Sequence, residues 1–182
     1  WMGSEPDLYG WLLSDPLYPT IAVNTLLFVA FGVNLQLFGA FLLSGYFMGG
    51  GWWRRVLLAI FLLPWAMPAL SAFISIHYMV VSQWGFFDSL WLAVTGTDGP
   101  FLLLSRWSAM ATNILSYIWK WMPFWTLVFL GARMAIPRDV YEAAAVDGAR
   151  PLDALLHITI PMLANVYLVA TLLSTLWTFG DF

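Results

Sequence analysis

The segment Ile136-Pro137-Arg138-Asp139-Val140-Tyr141-Glu142-Ala143-Ala144-Ala145-Val146-Asp147-Gly148-Ala149-Arg150-Pro151, continued by Leu152 to His157 and Ile158-Thr159-Ile160-Pro161, joins two long apolar stretches. It reads as two short helices around a glycine. Pro137 suits the first position of a helix, where its missing N–H costs nothing. Asp139 and Glu142 complement the positive end of that helix. Gly148 falls where the first helix must stop, Pro151 starts a second, and Pro161 breaks the second and opens the next stretch. Ala143, Ala144 and Ala145 make a slim, strongly helical rod that another backbone can approach closely.

Outward from this segment the chain is oily. Of its 182 residues 62% are hydrophobic, 18% aromatic and only 9% charged, with no cysteine and a formal net charge of −3. Soluble domains carry about 25% charged residues, so this chain cannot cover its surface in water, and it is too apolar for disorder. The absence of cysteine excludes a disulfide scaffold, a thiolate metal site and a cysteine nucleophile. The charge gives no footprint for nucleic acid. An integral membrane protein remains, with lipid as a partner of its surface.

A span needs about 20 apolar residues. Four stretches meet that length: A (about 21–46), B (about 56–81), C (about 107–132) and D (about 161–182). All are apolar on every face, unlike barrel strands. The expected fold is an all-α integral membrane, polytopic helical bundle of four transmembrane helices. Residues 1–20 form an N-terminal segment and 133–160 the C–D loop. The start at Trp1-Met2-Gly3 and the end at Phe179-Gly180-Asp181-Phe182 read as cuts in a longer protein, with helices expected to be missing at both ends.

Arg54 and Arg55 lie between A and B, and Arg133, Arg138 and Arg150 between C and D. The B–C loop has only Arg106, and the N-terminal segment has no basic residue. The positive-inside rule therefore places the A–B and C–D loops in the cytoplasm and residues 1–20 outside. Glu5, Asp7, Asp15, Asp88 and Asp98 fall on the outer side and weigh little under that rule. Within the outer loop, Phe86–Val94 is either a short interfacial helix or a loop anchored by Trp84 and Trp91.

The C–D segment then acquires a specific likeness. Glu142-Ala143-Ala144, Gly148 after three residues, Ile158 after nine more and Ile160-Pro161 resemble the EAA motif of permease subunits of binding-protein-dependent ABC importers. Ile160 stands where the family pattern has leucine. Asn24-Thr25-Leu26-Leu27-Phe28 resembles the start of the permease domain, while Trp119-Lys120, Pro123-Phe124 and Tyr141 to Ala149 are similar to the sugar-type, maltose and glycerol-phosphate permease-like branch.

The resemblance implies a type I ABC importer permease in a bacterial inner membrane. In that family the loop is a coupling helix docked in a separate ATPase subunit. Glu142, Ala143, Ala144, Asp147, Gly148, Ile158 and Pro161 are then the coupling residues, with Glu142 meeting a basic partner and Gly148 permitting the sharp turn. The implied partners are a second, similar permease as a heterodimer, two ATPase subunits, an extracytoplasmic solute-binding protein and a small-molecule, carbohydrate-like solute. ATP is used by the partner ATPase, and no cofactor is expected on this chain.

The membrane stretches carry polar stripes. Lys120 falls near the middle of C, where a charge costs about 2.5–3.5 kcal/mol on insertion scales. Tyr117, Lys120, Trp121 and Phe124 recur at helical spacing, and Asn113 extends their face. On D, Thr171, Ser174, Thr175 and Thr178 form a stripe that would meet the first at one depth if C and D are neighbours. The structural alternative is that D's hydroxyls bond across helices while Lys120 pairs with backbone carbonyls or a carboxylate. Taken together, Asn113, Tyr117, Lys120, Trp121, Phe124, Thr171, Ser174 and Thr178 are the candidate substrate path, since aromatic faces with hydrogen-bonding neighbours suit a sugar. Pro64 and Pro68 kink B as a hinge or a fixed bend.

No catalytic motif is present. Lys120 is the only lysine and it is mid-membrane, so a Gly-x-x-x-x-Gly-Lys phosphate loop cannot form. His77 and His157 stand far apart, without metal-ligand spacing. The rivals are a permease for a polyol, glycerol phosphate or other small polar nutrient, an ATPase-independent channel or secondary transporter, and an intramembrane enzyme using Lys120, His77 or Asp181.

Overall fold

The computed structural model describes residues 8–81, 84–99 and 102–180. The acidic Glu5 and Asp7 and the C-terminal Asp181 lie outside the described residues. Every regular element among the described residues is a helix, and there is no strand. In chain order they are α1 (Leu8–Ser14), α2 (Tyr18–Phe28), α3 (Asn34–Phe47), α4 (Trp52–Phe61), α5 (Leu63–Ala66), α6 (Ala69–Val80), α7 (Phe86–Thr95), α8 (Arg106–Met134), α9 (Arg138–Val146), α10 (Pro151–Ala154) and α11 (Ile160–Gly180).

A π-helical turn, Val29–Val33, joins α2 to α3 without a break, so stretch A is one continuous helix from Tyr18 to Phe47. Asp15 starts it: its carboxylate accepts the Leu17 N–H at 2.8 Å, and Pro19 follows in the first turn, where a missing N–H is harmless. A second π turn, Leu155–Thr159, joins α10 to α11 and makes another continuous helix, Pro151–Phe179. Pro161 therefore does not open stretch D as expected; it lies inside a helix already running. The i→i+5 pattern just before it loosens the ladder where its ring would otherwise collide with the preceding turn. Pro137 is likewise the residue that precedes α9, with extended ψ of 137°, and Arg138 is the first helical position.

These two continuous helices are each long and apolar enough to cross a membrane. Stretch C folds as α8, 29 residues long, or about 44 Å at 1.5 Å per residue. Its Arg106, Lys120 and Arg133 make it less apolar than the other two.

Stretch B departs from expectation most. It is not one straight helix but two pieces, Trp52–Ala66 and Ala69–Val80, bent by 94° at Met67-Pro68. Pro68 has no N–H to continue the ladder and forces its predecessor out of the α region, and Met67 is extended with ψ of 146°. Two or three apolar spans therefore follow from length and composition, depending on whether the bent pair counts as one. The piece Phe86–Val94 is helical, as α7, and ends at Gly96, whose φ of +71° is the left-handed stop favoured by glycine.

The bundle is built on α3 against α8. Val33, Leu37, Ala40 and Phe41 meet Trp125 and Phe129, and Leu163 and Ala170 of α11 close the core. Gly39 gives room to Met122, whose Cε would lie 2.7 Å from a Cβ at that position. The outward faces carry Leu35, Phe38, Leu42, Leu168, Leu172 and Leu176, all exposed, as a lipid-facing surface requires.

Arginines fasten α8 to stretch A at both ends, on α2 and on α3. Arg106 donates from Nε and Nη2 to Asn24 Oδ1 at 3.0 and 2.7 Å. At the other end Arg133 donates to Ser44 Oγ at 2.7 Å and the Phe41 carbonyl at 3.0 Å, its guanidinium 4.4 Å from the Phe41 ring centroid.

Candidate functional site

Two features organise the chemistry of this chain: a polar-aromatic cavity between helices and an exposed connector tied to the foot of α11.

The cavity has a volume of about 390 Å³ and is lined by Phe28 of α2, Ala69, Leu70 and Phe73 of α6, Asn113, Tyr117 and Trp121 of α8, and Thr178 of α11. Tyr117 and Thr178 join across it, their hydroxyl oxygens 3.0 Å apart, and Thr178 Oγ1 also approaches the Ser174 carbonyl at 2.8 Å. The ring of Phe28 meets that of Tyr117 edge-on at 5.1 Å. A neighbouring cavity of about 370 Å³ shares Phe28 and Asn113 and extends to Asn24 and Arg106. A few fixed hydrogen-bonding groups among aromatic walls form the usual pattern of a small-molecule site.

The sequence-derived path residues divide accordingly. Asn113, Tyr117, Trp121 and Thr178 gather on the cavity. Phe124 instead stacks on Trp65 at 5.6 Å and lies 6.0 Å from the ring of Trp177. Thr171 bonds back to the Tyr167 carbonyl at 2.8 Å, and Ser174 is fully buried with its hydroxyl unpartnered.

Lys120 is 2% exposed and its ammonium is fully committed. It donates to the carbonyls of Pro64 at 2.8 Å, Trp65 at 3.0 Å and Met67. The reason lies in B's own sequence. The Pro64 carbonyl would bond the N–H four residues on, but that residue is Pro68. The chain's departure at Met67 strands the next carbonyls as well. A cation placed at the negative end of α5 satisfies both the open acceptors and the helix dipole. Lys120 thus caps the broken helix, while the second piece of that helix, α6, forms a wall of the cavity.

The connector is α9 and the turn after it. Gly148 has φ +80° and ends α9 with open space around its Cα, and the Ala149 N–H bonds the Ala144 carbonyl at 2.9 Å. Glu142, Ala143, Asp147 and Gly148 are exposed, Ala144 is half-buried, and Val146 is 88% exposed. Arg150 closes the next turn by donating to Asp153 Oδ2 twice, from its backbone N–H at 3.0 Å and from its side-chain Nε at 3.2 Å, the latter an ion pair.

The inner face of α9 packs Tyr141 against the core and is tied down by a hydrogen bond. Tyr141 Oη lies 2.9 Å from Oγ1 of Thr159, which is buried in the π turn below α11. Ile158 is half-buried in that same turn and Pro161 is exposed just above it.

Sequence reasoning did not find the roles of Tyr141, Thr159, Arg106 or Arg133. His77 is exposed beside Tyr78, and the ring of exposed His157 lies 3.0 Å from its own helix's Asp153 carbonyl. Among the described residues no group of acidic or histidine side chains can hold a metal ion.

Fold and site together define a helical membrane component with an inter-helical cavity and an exposed helical connector. The chain belongs to the family of binding-protein-dependent transport system inner membrane components, whose model matches residues 19–182. It is 37% identical over 123 residues to a trehalose/maltose transport system permease protein of Thermococcus litoralis, covering 68% of this chain and 41% of that protein. It is 30% identical over 177 residues to a sulfoquinovosyl glycerol transport system permease protein of Agrobacterium fabrum, covering 96% and 56%. The chain thus spans about half the length of the curated relatives it matches. The fold is that of a chain in a bacterial ABC transporter involved in the import of the acidic polysaccharide alginate, with a TM-score of 0.80, 23% identity, and 93% of this chain and 59% of that chain covered.

Proposed function

We propose that this chain is part of a permease subunit of an ATP-driven importer, lining half of the path for a carbohydrate-like solute. The observation that carries the coupling half of this reading is the bond between Tyr141 and Thr159. It links an exposed helix, available to a partner, to the foot of the helix that supplies Thr178 to the cavity. A push on α9 is therefore delivered to α11, and a rigid-body shift of packed helices suffices to change access to the cavity.

In this reading Glu142, Ala143, Ala144, Asp147 and Gly148 face an ATPase subunit, and Ile158 and Pro161 belong to the lever beneath. A second, similar permease completes the path, two ATPases supply the ATP-driven stroke, and an extracytoplasmic binding protein delivers solute. The A–B and C–D loops are cytoplasmic in a bacterial inner membrane, with α8 and the bent pair serving as spans beside the two continuous apolar helices. Asn113, Tyr117, Trp121 and Thr178 contact the solute: the rings cover its C–H faces and the polar groups take its hydroxyls. Lys120 holds the cavity's shape through the broken helix.

The test is co-purification and uptake with the full-length protein and its partner subunits. Gly148→Trp should abolish retention of the ATPase or ATP-driven sugar uptake, since it places a bulky ring on the exposed turn. Uptake that proceeds without ATP, with no ATPase retained, overturns the reading.

A further inference from the structure

At the end of the bundle where the A–B loop meets α9, a cavity of about 440 Å³ gathers Arg54, Arg55, Arg133 and Arg138. No carboxylate lines it, and among the described residues the one side-chain ion pair is Arg150 with Asp153, elsewhere. Four arginines line this space in a chain with seven basic residues. Arg133 is held by Ser44 and Phe41. Arg54 lies against the rings of Tyr46 and Trp53 at 5.1 and 5.3 Å, and its Nε is buried with no hydrogen-bond partner.

Backbone geometry adds to the positive field. Gly49, Gly50 and Gly51 line the cavity at the N-terminus of α4, and Arg138 lines it at the N-terminus of α9. No side chain caps either helix. Uncapped N–H groups and the positive dipole ends thus supplement the arginines, as in anion sites at helix N-termini. Gly49 makes room for this arrangement, because a Cβ at that position would overlap the Arg54 guanidinium.

We infer that this cavity binds a phosphate-type anion, and that the anion is the headgroup of an acidic phospholipid. The lipid source follows from depth. Trp52 is 77% and Trp53 43% exposed beside the cavity, followed by the exposed apolar Val56, Leu57 and Ile60. Exposed tryptophans next to an apolar face mark the headgroup level of a membrane, so a phosphate seated among the arginines has its acyl chains alongside α4.

The test uses the full-length protein in nanodiscs of phosphatidylcholine alone or with phosphatidylglycerol, with retained lipid counted by native mass spectrometry after extraction. Wild type should retain phosphatidylglycerol in preference to phosphatidylcholine. Arg54→Gln with Arg138→Gln should reduce that preference on the order of tenfold to thirtyfold. Gly49→Ala keeps every charge but displaces the Arg54 guanidinium, and should also lower it. Arg150→Gln, outside the cavity, should not, and unfolding curves for each variant establish that it folds. Equal retention by wild type and the double variant overturns the proposal. Displacement of the lipid by millimolar inorganic phosphate makes this a soluble-phosphate site and overturns the lipid assignment. Loss of the lipid when partner subunits bind assigns the cavity to an acidic protein segment instead. The lipid-retention and phosphate-displacement readouts use neither transport nor a partner subunit, so their result is independent of the proposed importer function.

Discussion

A buried lysine in a membrane stretch invites a functional reading, and its three carbonyl partners supply a structural one. Lys120→Met leaves the carbonyls of Pro64, Trp65 and Met67 without a donor in a site shut off from water. Hydrogen bonds to charged groups contribute about 1.5–3 kcal/mol each to stability, less whatever the freed acceptors recover. The variant should be destabilised by on the order of 2–3 kcal/mol, read as a lower unfolding midpoint in detergent. An unchanged midpoint would show that the cap contributes nothing.

Tyr117 and Thr178 make the opposite case, since both line the cavity and bond each other. Thr178→Val should weaken solute binding, seen as a raised KM for uptake, while leaving the amount of assembled protein near normal. Periodicity placed each of these residues on the polar stripe of its own helix, stretch C or stretch D. It could not separate them from Lys120 and Phe124, because helical spacing fixes an angle around the axis and not which neighbour occupies it. The missing information was in B, where two prolines four residues apart leave the first one's carbonyl without its donor.

The elements show where local sequence rules hold and where the surroundings override them. Gly148 stops α9 with a positive φ, as its position in the segment indicated. Because nothing lies within 4 Å of its built Cβ, Gly148→Ala meets only the backbone penalty, about 1 kcal/mol. That variant should keep its partner and show a small loss of stability, whereas Gly148→Trp should lose the partner. If alanine and tryptophan do equal damage, the defect is in the turn and not in docking.

Tyr141→Phe removes the bond to Thr159 at a cost of about 1 kcal/mol. It should leave ATPase retention intact while lowering the solute moved per ATP consumed. Equal losses of both would place Tyr141 in the docking surface instead. The two π turns, and with them the continuous helix through Pro161, were not legible, because no short-range residue preference marks an i→i+5 turn as a cap marks a helix start.

At the scale of the whole molecule, stretch A and α8 form a beam fastened at both ends, by Arg106 on Asn24 and by Arg133 on Ser44. The two fastenings are about 40 Å apart along α8 at 1.5 Å per residue. Arg106→Met and Arg133→Met should therefore destabilise additively, within about 0.5 kcal/mol, in a double-mutant cycle. A larger coupling energy would mean that the beam responds as one unit.

The helical membrane architecture was legible because composition and length alone exclude water as the solvent of this surface. The fastenings were not. The same arginines were read as orientation signals, and a charge count gives the side of the membrane but not the bond.

The break in B also has a genetic consequence. The Pro64 carbonyl needs Lys120 because Pro68 denies it the N–H of its own helix. A chain that loses the lysine can regain a donor by changing the second proline. Pro68→Ala should therefore act as an intragenic suppressor of Lys120→Met, restoring part of the lost stability by letting the helix straighten. The rescued protein would trade the 94° bend for a continuous rod and withdraw α6 from the cavity wall. Selecting revertants on stability and on uptake would then yield different mutations.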